Sequence, residues 1–295
     1  GQMIPASKFP RIVSYLPMAH IAARAGDHYQ AIYRIGQIFP VPVLEDMRDA
    51  LPTIKPSVFL AVPRVWEKFK AGLEARIEEN PKKDLIDKAI KNGLERVDYE
   101  QKGETVPFMV GLKDKVFSKL VFSKFKEGLG IVDTEYFVTA AAPMNKDVHR
   151  WFHAIGIDVT EIYGMTEDTG PATIGVPGNA VESFSKRLKA DSIEVPSVLN
   201  PIGKVGIPIP GTEVKVMEDG ELCIKGNHVA QGYYKSDEQT KETFDSDGWL
   251  HTGDLAEIDS EGYVKIIGRK KEILITSAGT VSYTHLTLPT KQMVE

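Results

Sequence analysis

The chain has little of several features that would narrow its function. Among its 295 residues there is one cysteine, Cys223, so no disulfide can form within it and a reducing compartment is expected. Its net charge of -5 argues against a nucleic-acid-binding protein, because such proteins carry a basic footprint. No apolar run approaches the about 20 residues that a membrane-spanning helix needs, and residues 1–10 do not resemble a secretory signal. We expect a soluble, cytoplasmic protein, and peripheral contact with a membrane is left open.

Two phosphate-binding motifs are also missing. The chain contains neither the G-x-x-x-x-G-K-[ST] phosphate loop nor a G-x-G-x-x-G that opens a helix. A nicotinamide enzyme therefore has no positive support in the sequence.

Two candidate reactive groups have plainer interpretations. His149 and His153 are four residues apart on a predicted helix, a spacing that could place two metal ligands on one face. No third ligand accompanies them, so we expect a surface helix. Cys223 lies in the strand-like segment ELCIK without a visible base partner, and we expect a small packed side chain.

The first two thirds of the chain alternate strand-like and helical patterns. Buried strands are predicted at RIVSYL (11–16), SVFLAV (57–62), YFVTA (136–140) and IDVTEI (157–162). Helices are predicted after Pro63, where Trp66, Phe69, Leu73 and Ile77 recur every three or four residues, and from about residue 145 to 155. Strands that alternate with helices predict an α/β fold with a doubly wound parallel sheet.

From Pro201 onward the pattern changes to short alternating strands. TEVKVM, GELCIKG, GDLAEID and GYVKIIG are separated by turns such as Asp219-Gly220 and Glu261-Gly262. This predicts a small antiparallel β subdomain. Residues 179–200 show no clear period and are expected to be a loop or an insertion.

The segment EIYGMTEDTG, residues 161–170, is the strongest single candidate for chemistry. It places the hydroxyl of Thr166 beside the carboxylate of Glu167, directly after a predicted strand. Such oxygens suit a hard cation and its phosphate ligands, and Gly164 would let the backbone bend closely around a ligand. Taken alone, the segment is more typical of an ordinary strand-to-helix loop than of a nucleotide site.

Several segments in a fixed order change that balance. Around this turn stand VTAAAPM (138–144), GELCIKGNHVAQGYY (220–234), DGWLHTGDL (247–255) and GYVKIIGRKKEILITSAG (262–279). With them the chain closely resembles the adenylate-forming enzymes over residues 11–279. SYLPMAHIAAR and VPRVWEKF resemble the AMP-forming long-chain acyl-CoA synthetases among them. The resemblance implies an incomplete large domain, with doubly wound α/β layers and a small antiparallel β subdomain. It also implies ATP and Mg²⁺ as cofactors, coenzyme A as co-substrate and a long-chain fatty acid as substrate.

The resemblance also implies roles for individual residues. Thr166 matches a residue that contacts phosphate, and Glu167 matches the ligand of Mg²⁺. Lys271 matches the hinge of the family's carboxy-terminal domain. The resemblance implies a catalytic role for all three. The adenine pocket would be formed by Tyr163, by the neighbouring Glu161, Ile162 and Gly164, and by the opposite small wall at Ala140, Ala141 and Ala142.

The ribose and the acyl chain have their own candidates. Asp254 matches the acid that accepts hydrogen bonds from both ribose hydroxyls, although alone it is as typical of a turn cap. Arg269 matches a second ribose or phosphate contact, and His20 matches a residue of the acyl pocket.

The chain departs from the family at both ends. A phosphate loop should precede residue 14 and a small α/β domain should follow the hinge, so we expect an internal fragment with little or no ligase activity. The expected units are 1–200 (partial α/β region), 201–270 (β subdomain ending at the hinge) and 271–279 (start of the next domain). Residues 280–295 resemble translated adapter sequence and are expected to be non-native. A non-catalytic AMP-binding module, or a ligase for aryl or other acids, remains the alternative.

Overall fold

The main feature of the fold is a seven-stranded sheet. A computed structural model of the protein describes residues 9–178, 196–270, 273–275 and 281–283, with side chains up to residue 270. In chain order the strands of this sheet are β1 (Arg11–Ser14), β2 (Gln37–Pro40), β3 (Val58–Ala61), β4 (Tyr136–Thr139), β5 (Val159–Met165), β6 (Gly170–Ile174) and β7 (Ile207–Pro208). Their order across the sheet is β2-β1-β3-β4-β5-β6-β7. The first five of that order run parallel, whereas β6 and β7 are antiparallel to their neighbours.

Helices cover both faces of this sheet. In chain order they are α1 (the consecutive segments Ile21–Ala23, Arg24–Tyr29 and Gln30–Arg34), α2 (Met47–Ile54), α3 (Pro63–Glu78), α4 (Lys83–Gln101), α5 (Phe108–Phe117, Ser118–Phe122 and Ser123–Leu129) and α6 (Lys146–Ala154). Helix α1 lies on the face that carries Leu60, since a Cβ at Gly26 would stand 3.2 Å from the Leu60 Cδ1 atom. Helices α3, α5 and α6 pack on the opposite face with Phe59. The doubly wound α/β prediction is confirmed.

Helix α3 shows how the sequence builds this second face. Pro63 occupies the first turn, where its missing N–H costs nothing. Trp66 is fully buried and its ring meets four aromatic neighbours at centroid distances of 5.0–6.2 Å. Its indole N–H donates to the Ala61 carbonyl at 3.2 Å. The apolar stripe of α3 is therefore core.

A second, four-stranded sheet follows. Its strands are β8 (Thr212–Val216), β9 (Glu221–Gly226), β10 (Leu250–Ile258) and β11 (Val264–Arg269), with α7 (Asp237–Thr243) between β9 and β10. They are antiparallel in the order β11-β10-β9-β8. Gly220 and Gly262 have φ of 84° and 83°, which only glycine adopts readily in such turns. The predicted β subdomain is confirmed.

The polypeptide does not leave the larger sheet at Pro201. Strand β7 pairs with β6 before the chain enters the smaller sheet. Beyond β11, β12 (Ile273–Ile275) pairs antiparallel with β13 (Val281–Tyr283). Lys271, residues 179–195 of the predicted loop and most of the tail from residue 280 lie outside the described residues.

The expectation of a surface helix at His149 and His153 is wrong. Both side chains are buried, and their rings lie 4.6 Å apart. The Nε2 atoms of His149 and His153 stand 2.6 and 3.0 Å from the same Val159 carbonyl oxygen. Helical spacing shows that two residues share a face, but whether that face is buried depends on which element of the fold packs against it. Here the packed element is β5, whose Val159 carbonyl oxygen contacts both Nε2 atoms, while the His149 Nδ1 atom lies 3.2 Å from Glu161 Oε1.

Among the described residues, no helix combines the length and the apolar character needed to cross a membrane.

Candidate functional site

A cavity of about 680 Å³ lies between the carboxyl ends of the parallel strands and the smaller sheet. Its floor is formed by alternate residues of the larger sheet, among them Ile12, Leu60, Val138 and Ile162. Paired residues of neighbouring strands share a face, as do residues two apart on one strand. The register pairs Ile12 with Val58, Leu60 with Val138 and Val138 with Thr160, so one face of the sheet contributes all four. The volume and the mostly apolar floor are those of a small-molecule site.

One wall of the cavity is the loop after β4. Ala140, Ala141 and Ala142 all line the cavity, and Ala141 has φ of 73°, a left-handed conformation that costs a residue with a Cβ about 1 kcal/mol. The loop is tied down at its far end, where the Met144 N–H donates to a Glu161 carboxylate oxygen at 3.5 Å. The wall therefore presents small side chains on a fixed backbone.

The opposite wall is the end of β5, from Glu161 to Met165. The Tyr163 hydroxyl donates to Asp254 Oδ2 at 2.6 Å. Burial, with the Asp254 charge in second place, raises the pKa of this phenol, so it remains a donor. A glycine is required at position 164 for a different reason from the one expected. A Cβ there would lie 1.7 Å from the Gly170 carbonyl oxygen, so β6, rather than a ligand, requires the glycine.

Asp254 is held by a distortion of β10. Its register against β9 shifts between His251 and Leu255, and Gly253 has φ of 71°. The Asp254 N–H donates to Thr252 Oγ1 at 3.1 Å, and Arg269 Nε donates to Asp254 Oδ1 at 2.9 Å. Only 7% of Asp254 is exposed. Because each carboxylate oxygen has two acceptor sites, both oxygens can still accept a bond from a ligand.

Thr166 and Glu167 lie just beyond the residues that line the cavity, which include Met165 and Gly170. They belong to the 3₁₀ turn Thr166–Asp168 that follows β5. The Tyr233 hydroxyl donates to Glu167 Oε1 at 2.6 Å, and the Ala230 N–H donates to the Glu167 carbonyl at 2.7 Å. The Thr166 hydroxyl and the second Glu167 oxygen have no partner among the described residues. These free oxygen donors fit Mg²⁺, which binds through one or two carboxylates together with substrate phosphates.

His20 lies at the other end of the cavity. It is exposed, it lines the cavity, and its Nδ1 atom accepts the Ala22 N–H at 3.1 Å, which caps the start of α1. The structure thus brings His20, the alanine wall, the end of β5, Asp254 and Arg269 around one space, with the Thr166–Glu167 turn at its rim. Lys271 lies outside the described residues.

The sequence analysis missed two buried acids near this space. Asp168 Oδ1 accepts the Met165 and Gly170 N–H groups, both at 3.0 Å, while burial raises its pKa to about 7. Asp27 lines the cavity with 4% exposure, and burial raises its pKa to about 6. A turn-forming role for Asp168 was visible in TEDTG. Asp27 gave no local signal, because its burial depends on the strands beneath α1.

Cys223 is a packed side chain, as predicted, but the expectation that it has no base neighbour is wrong. Its Sγ atom lies 3.5 Å from His251 Nδ1, which also stands 3.2 Å from Glu221 Oε2. Burial raises the pKa of the Cys223 thiol to about 11, so it stays protonated. Glu221 in turn accepts the Gly253 N–H at 2.9 Å. This cluster supports the turn that presents Asp254.

Comparison with known proteins adds independent findings. A family model described as AMP-binding enzyme matches residues 3–234. The chain is 37% identical over 273 residues to a putative fatty-acid–CoA ligase, fadD11, of Mycobacterium tuberculosis (strain CDC 1551 / Oshkosh), a match that covers 91% of this chain and 44% of the relative. It is 32% identical to a long-chain-fatty-acid–CoA ligase, ACSBG2, of Gallus gallus, over 91% of this chain and 33% of that protein. The chain therefore spans less than half the length of these relatives.

Solved structures show the same fold at lower identity. A Mycobacterium tuberculosis fatty acyl CoA synthetase superposes with a TM-score of 0.58 and 23% identity, over 95% of this chain and 44% of that one. An O-succinylbenzoate coenzyme A synthetase from Bacillus subtilis, solved in complex with AMP, gives a TM-score of 0.59 and 17% identity, over 94% and 44% of the two chains.

Proposed function

Because the chain belongs to the AMP-binding enzyme family, we propose that the protein of which it is part activates a long-chain fatty acid with ATP. The fatty acid carboxylate would attack the α-phosphate to give an acyl-adenylate and pyrophosphate. The thiol of coenzyme A would then displace AMP to give the acyl-CoA. The observation that carries the proposal is the buried Asp254 carboxylate, held at the cavity wall between Tyr163 and Arg269.

We expect one orientation of the nucleotide in the cavity on chemical grounds. The adenine would pack on the Tyr163 ring, with the small alanine wall on its other side, where a larger side chain would occupy the space of the purine. The ribose hydroxyls would donate to Asp254, whose two oxygens each keep an acceptor site. The triphosphate would then extend toward the turn that carries Thr166 and Glu167.

At that turn the chain's own groups are oxygen donors. The Thr166 hydroxyl would donate to a phosphate oxygen, and Glu167 would hold Mg²⁺. The bound ion would offset the negative charge that develops on the transferring phosphate. Tyr233 fixes the Glu167 carboxylate through its hydrogen bond of 2.6 Å, so the ligand is oriented before the ion arrives.

The acid is assigned from the cavity floor and the relatives together. Apolar residues of the larger sheet line the floor, which suits an acyl chain, and His20 lies beside it as a candidate acyl-pocket residue. The relatives named above are fatty-acid–CoA ligases, whereas a solved structure of the same fold is a ligase for O-succinylbenzoate. Cytoplasmic location and the hinge role of Lys271 belong to the same proposal.

Calorimetry tests the nucleotide site on the chain itself. AMP and ATP with Mg²⁺ are titrated into the wild type, Asp254→Ala and the matched control Asp87→Ala, an exposed acid on α4. Loss of hydrogen bonds to a charged group should weaken binding by roughly ten- to a hundredfold for Asp254→Ala. Asp87→Ala should bind as the wild type does. Equal affinity of all three proteins would refute the assignment of Asp254.

The acid is tested on the complete protein. ATP–pyrophosphate exchange is measured with palmitate, benzoate and O-succinylbenzoate as the acids, and palmitate should give the fastest exchange. A preference for an aryl acid would remove the long-chain assignment. Nucleotide binding without exchange for any acid would favour a non-catalytic AMP-binding module.

A further inference from the structure

Helix α5 exposes a continuous apolar stripe. Its members are Phe108, Met109, Leu112, Val116 and Leu120, with exposed fractions from 45% at Leu112 to 79% at Phe108. Single exposed apolar residues are ordinary, but a contiguous apolar patch on a surface marks an interaction site.

The stripe occupies the side of α5 that faces away from the protein. An α-helix turns by about 100° per residue, so within the α-helical segment Phe108–Phe117 the four exposed apolar side chains span roughly 100° of its circumference, and Leu120 follows in the wider π-helical segment Ser118–Phe122. Val110 is buried and falls on the opposite side. Helix α5 is therefore apolar on two faces, and only one of them contacts the rest of the described structure.

Lysines flank the stripe on both margins. By the same geometry Lys115 lies beyond one margin and Lys113 beyond the other, Lys119 follows in the π-helical segment, and all three are exposed. The acid within this segment, Asp114, is half-buried and lies 3.1 Å from Arg96 on the inner side. None of the three lysines pairs with an acid among the described residues. The stripe is thus locally cationic in a chain whose net charge is -5.

We propose that the α5 stripe docks on an anionic lipid surface. An amphipathic helix with large apolar side chains between lysines lies in the interface of a bilayer, with the apolar face among the acyl chains and the lysines at the headgroups. Anionic headgroups complement the lysines, so each charge near the surface should tighten binding severalfold.

A second copy of the chain fits the stripe less well. In a two-fold interface the same patch meets itself, so the lysine margins of both copies would approach each other. Like charges across an interface oppose association. The inference does not depend on adenylation, because no residue of the stripe lines the cavity.

Vesicle flotation tests the inference on the whole chain and on the complete protein. One set of vesicles contains phosphatidylcholine alone, and the other contains phosphatidylcholine with about one third phosphatidylglycerol. We expect binding to the anionic vesicles that weakens as salt is added, and little binding to the neutral ones.

Two double variants separate the apolar and the charged contributions. Leu112→Ser with Val116→Ser should lower partitioning roughly tenfold or more, and Lys115→Gln with Lys119→Gln should lower it by a similar factor on anionic vesicles. The matched control joins Leu85→Ser and Lys88→Gln, two exposed positions on α4, and should float as the wild type does. Urea denaturation should give all of these proteins similar unfolding free energies.

Three outcomes would overturn the inference. One is flotation of the stripe variants at the wild-type level, and another is failure of the wild type to bind anionic vesicles, in the chain or in the complete protein. The third is a dimer in sedimentation velocity that Phe108→Ser dissociates. Absence of nucleotide binding in calorimetry would refute the proposed function but leave the flotation result unaffected.

Discussion

The two faces of the seven-stranded sheet are built from the same strands and serve different ends. Phe59 and Leu60 are neighbours in β3 and point in opposite directions. Phe59 is 1% exposed and packs against Trp66, whereas Leu60 lines the cavity. Odd and even positions of one strand therefore separate the residues that hold the fold together from those that form the binding space.

Burial shifts the pKa of a titratable group on each side of the sheet, and the two shifts give stability an opposite pH dependence. His153, on α6, has its pKa lowered by burial. Asp27, on α1 at the cavity, has its pKa raised by burial. Acidification should thus destabilise one side of the sheet and stabilise the other.

The largest effect is expected from Trp66→Ala, on the sheet face that carries Phe59. Removal of a fully buried indole should lower the unfolding free energy by about 3–5 kcal/mol in urea denaturation. The control is Trp249→Ala, because Trp249 is only half-buried beside the smaller sheet, and its loss should cost clearly less. Equal losses at the two tryptophans would contradict the view that the face of Phe59 carries the main core.

His153→Gln should remove a destabilisation that the wild type undergoes at acidic pH. In the fold the pKa of His153 is about 4 rather than 6.5, mainly through burial, with Asp158 opposing the shift and His149 and Arg96 adding to it. The unfolded chain then binds the proton more tightly, so this contribution is complete above pH 6.5 and is lost as the pH falls toward 4. The difference is on the order of 3 kcal/mol.

Unfolding free energies of wild type and variant between pH 4 and 8 measure this effect. The gap between the two proteins should change across the window, because Gln cannot take up the proton. His28→Gln, at an exposed position, should parallel the wild type throughout. A constant gap for His153→Gln would refute the assignment.

These two positions also show how far the sequence could predict the fold. The helix that contains Trp66 was predicted because its apolar residues recur every three or four positions after Pro63. The burial of His153 was missed, because periodicity shows which residues share a face and leaves open which face meets a partner. Strand β6 was missed since its opening Gly170-Pro171 is typical of a turn.

The candidate site was likewise predicted from the sequence only in part. The segments around Ala142, Tyr163 and Asp254 are distant in sequence, and only the order of several motifs predicted that they belong together. The hydrogen bond between Tyr163 and Asp254 could not be predicted, because it depends on how the smaller sheet packs against the larger. Gly164 was found for the wrong reason, since its close neighbour is the backbone of β6.

Asp27→Asn should show the opposite pH dependence at the cavity. The pKa of Asp27 in the fold is about 6 rather than 3.8, raised by burial against a smaller opposing hydrogen bond from Ser14. The folded state then binds the proton more tightly, so stability is highest below pH 3.8 and falls as the pH rises to 6. Asn resembles the protonated acid, and it should stabilise the chain above pH 6 by about 3 kcal/mol.

The same pH series of urea denaturations measures the Asp27 effect. Asp49→Asn, at an exposed position on α2, is the control and should follow the wild type. If Asp27→Asn were no more stable than the wild type at pH 7, the ionised Asp27 carboxylate would have to be stabilised by a partner, which would contradict a pKa raised by burial.

The smallest change in unfolding free energy is expected from Ala142→Leu, at the cavity on the sheet face that carries Leu60. Ala142 is an exposed residue on the cavity wall, so added bulk meets no packed core, and the unfolding free energy should change by less than about 0.5 kcal/mol. The leucine would occupy the space of the purine, and AMP binding in calorimetry should weaken at least tenfold, about 1.4 kcal/mol. Ala142→Ser keeps the side chain small and should bind AMP as the wild type does. A loss of stability without a loss of affinity would show that this wall supports the fold, and the division between the two faces would then fail at Ala142.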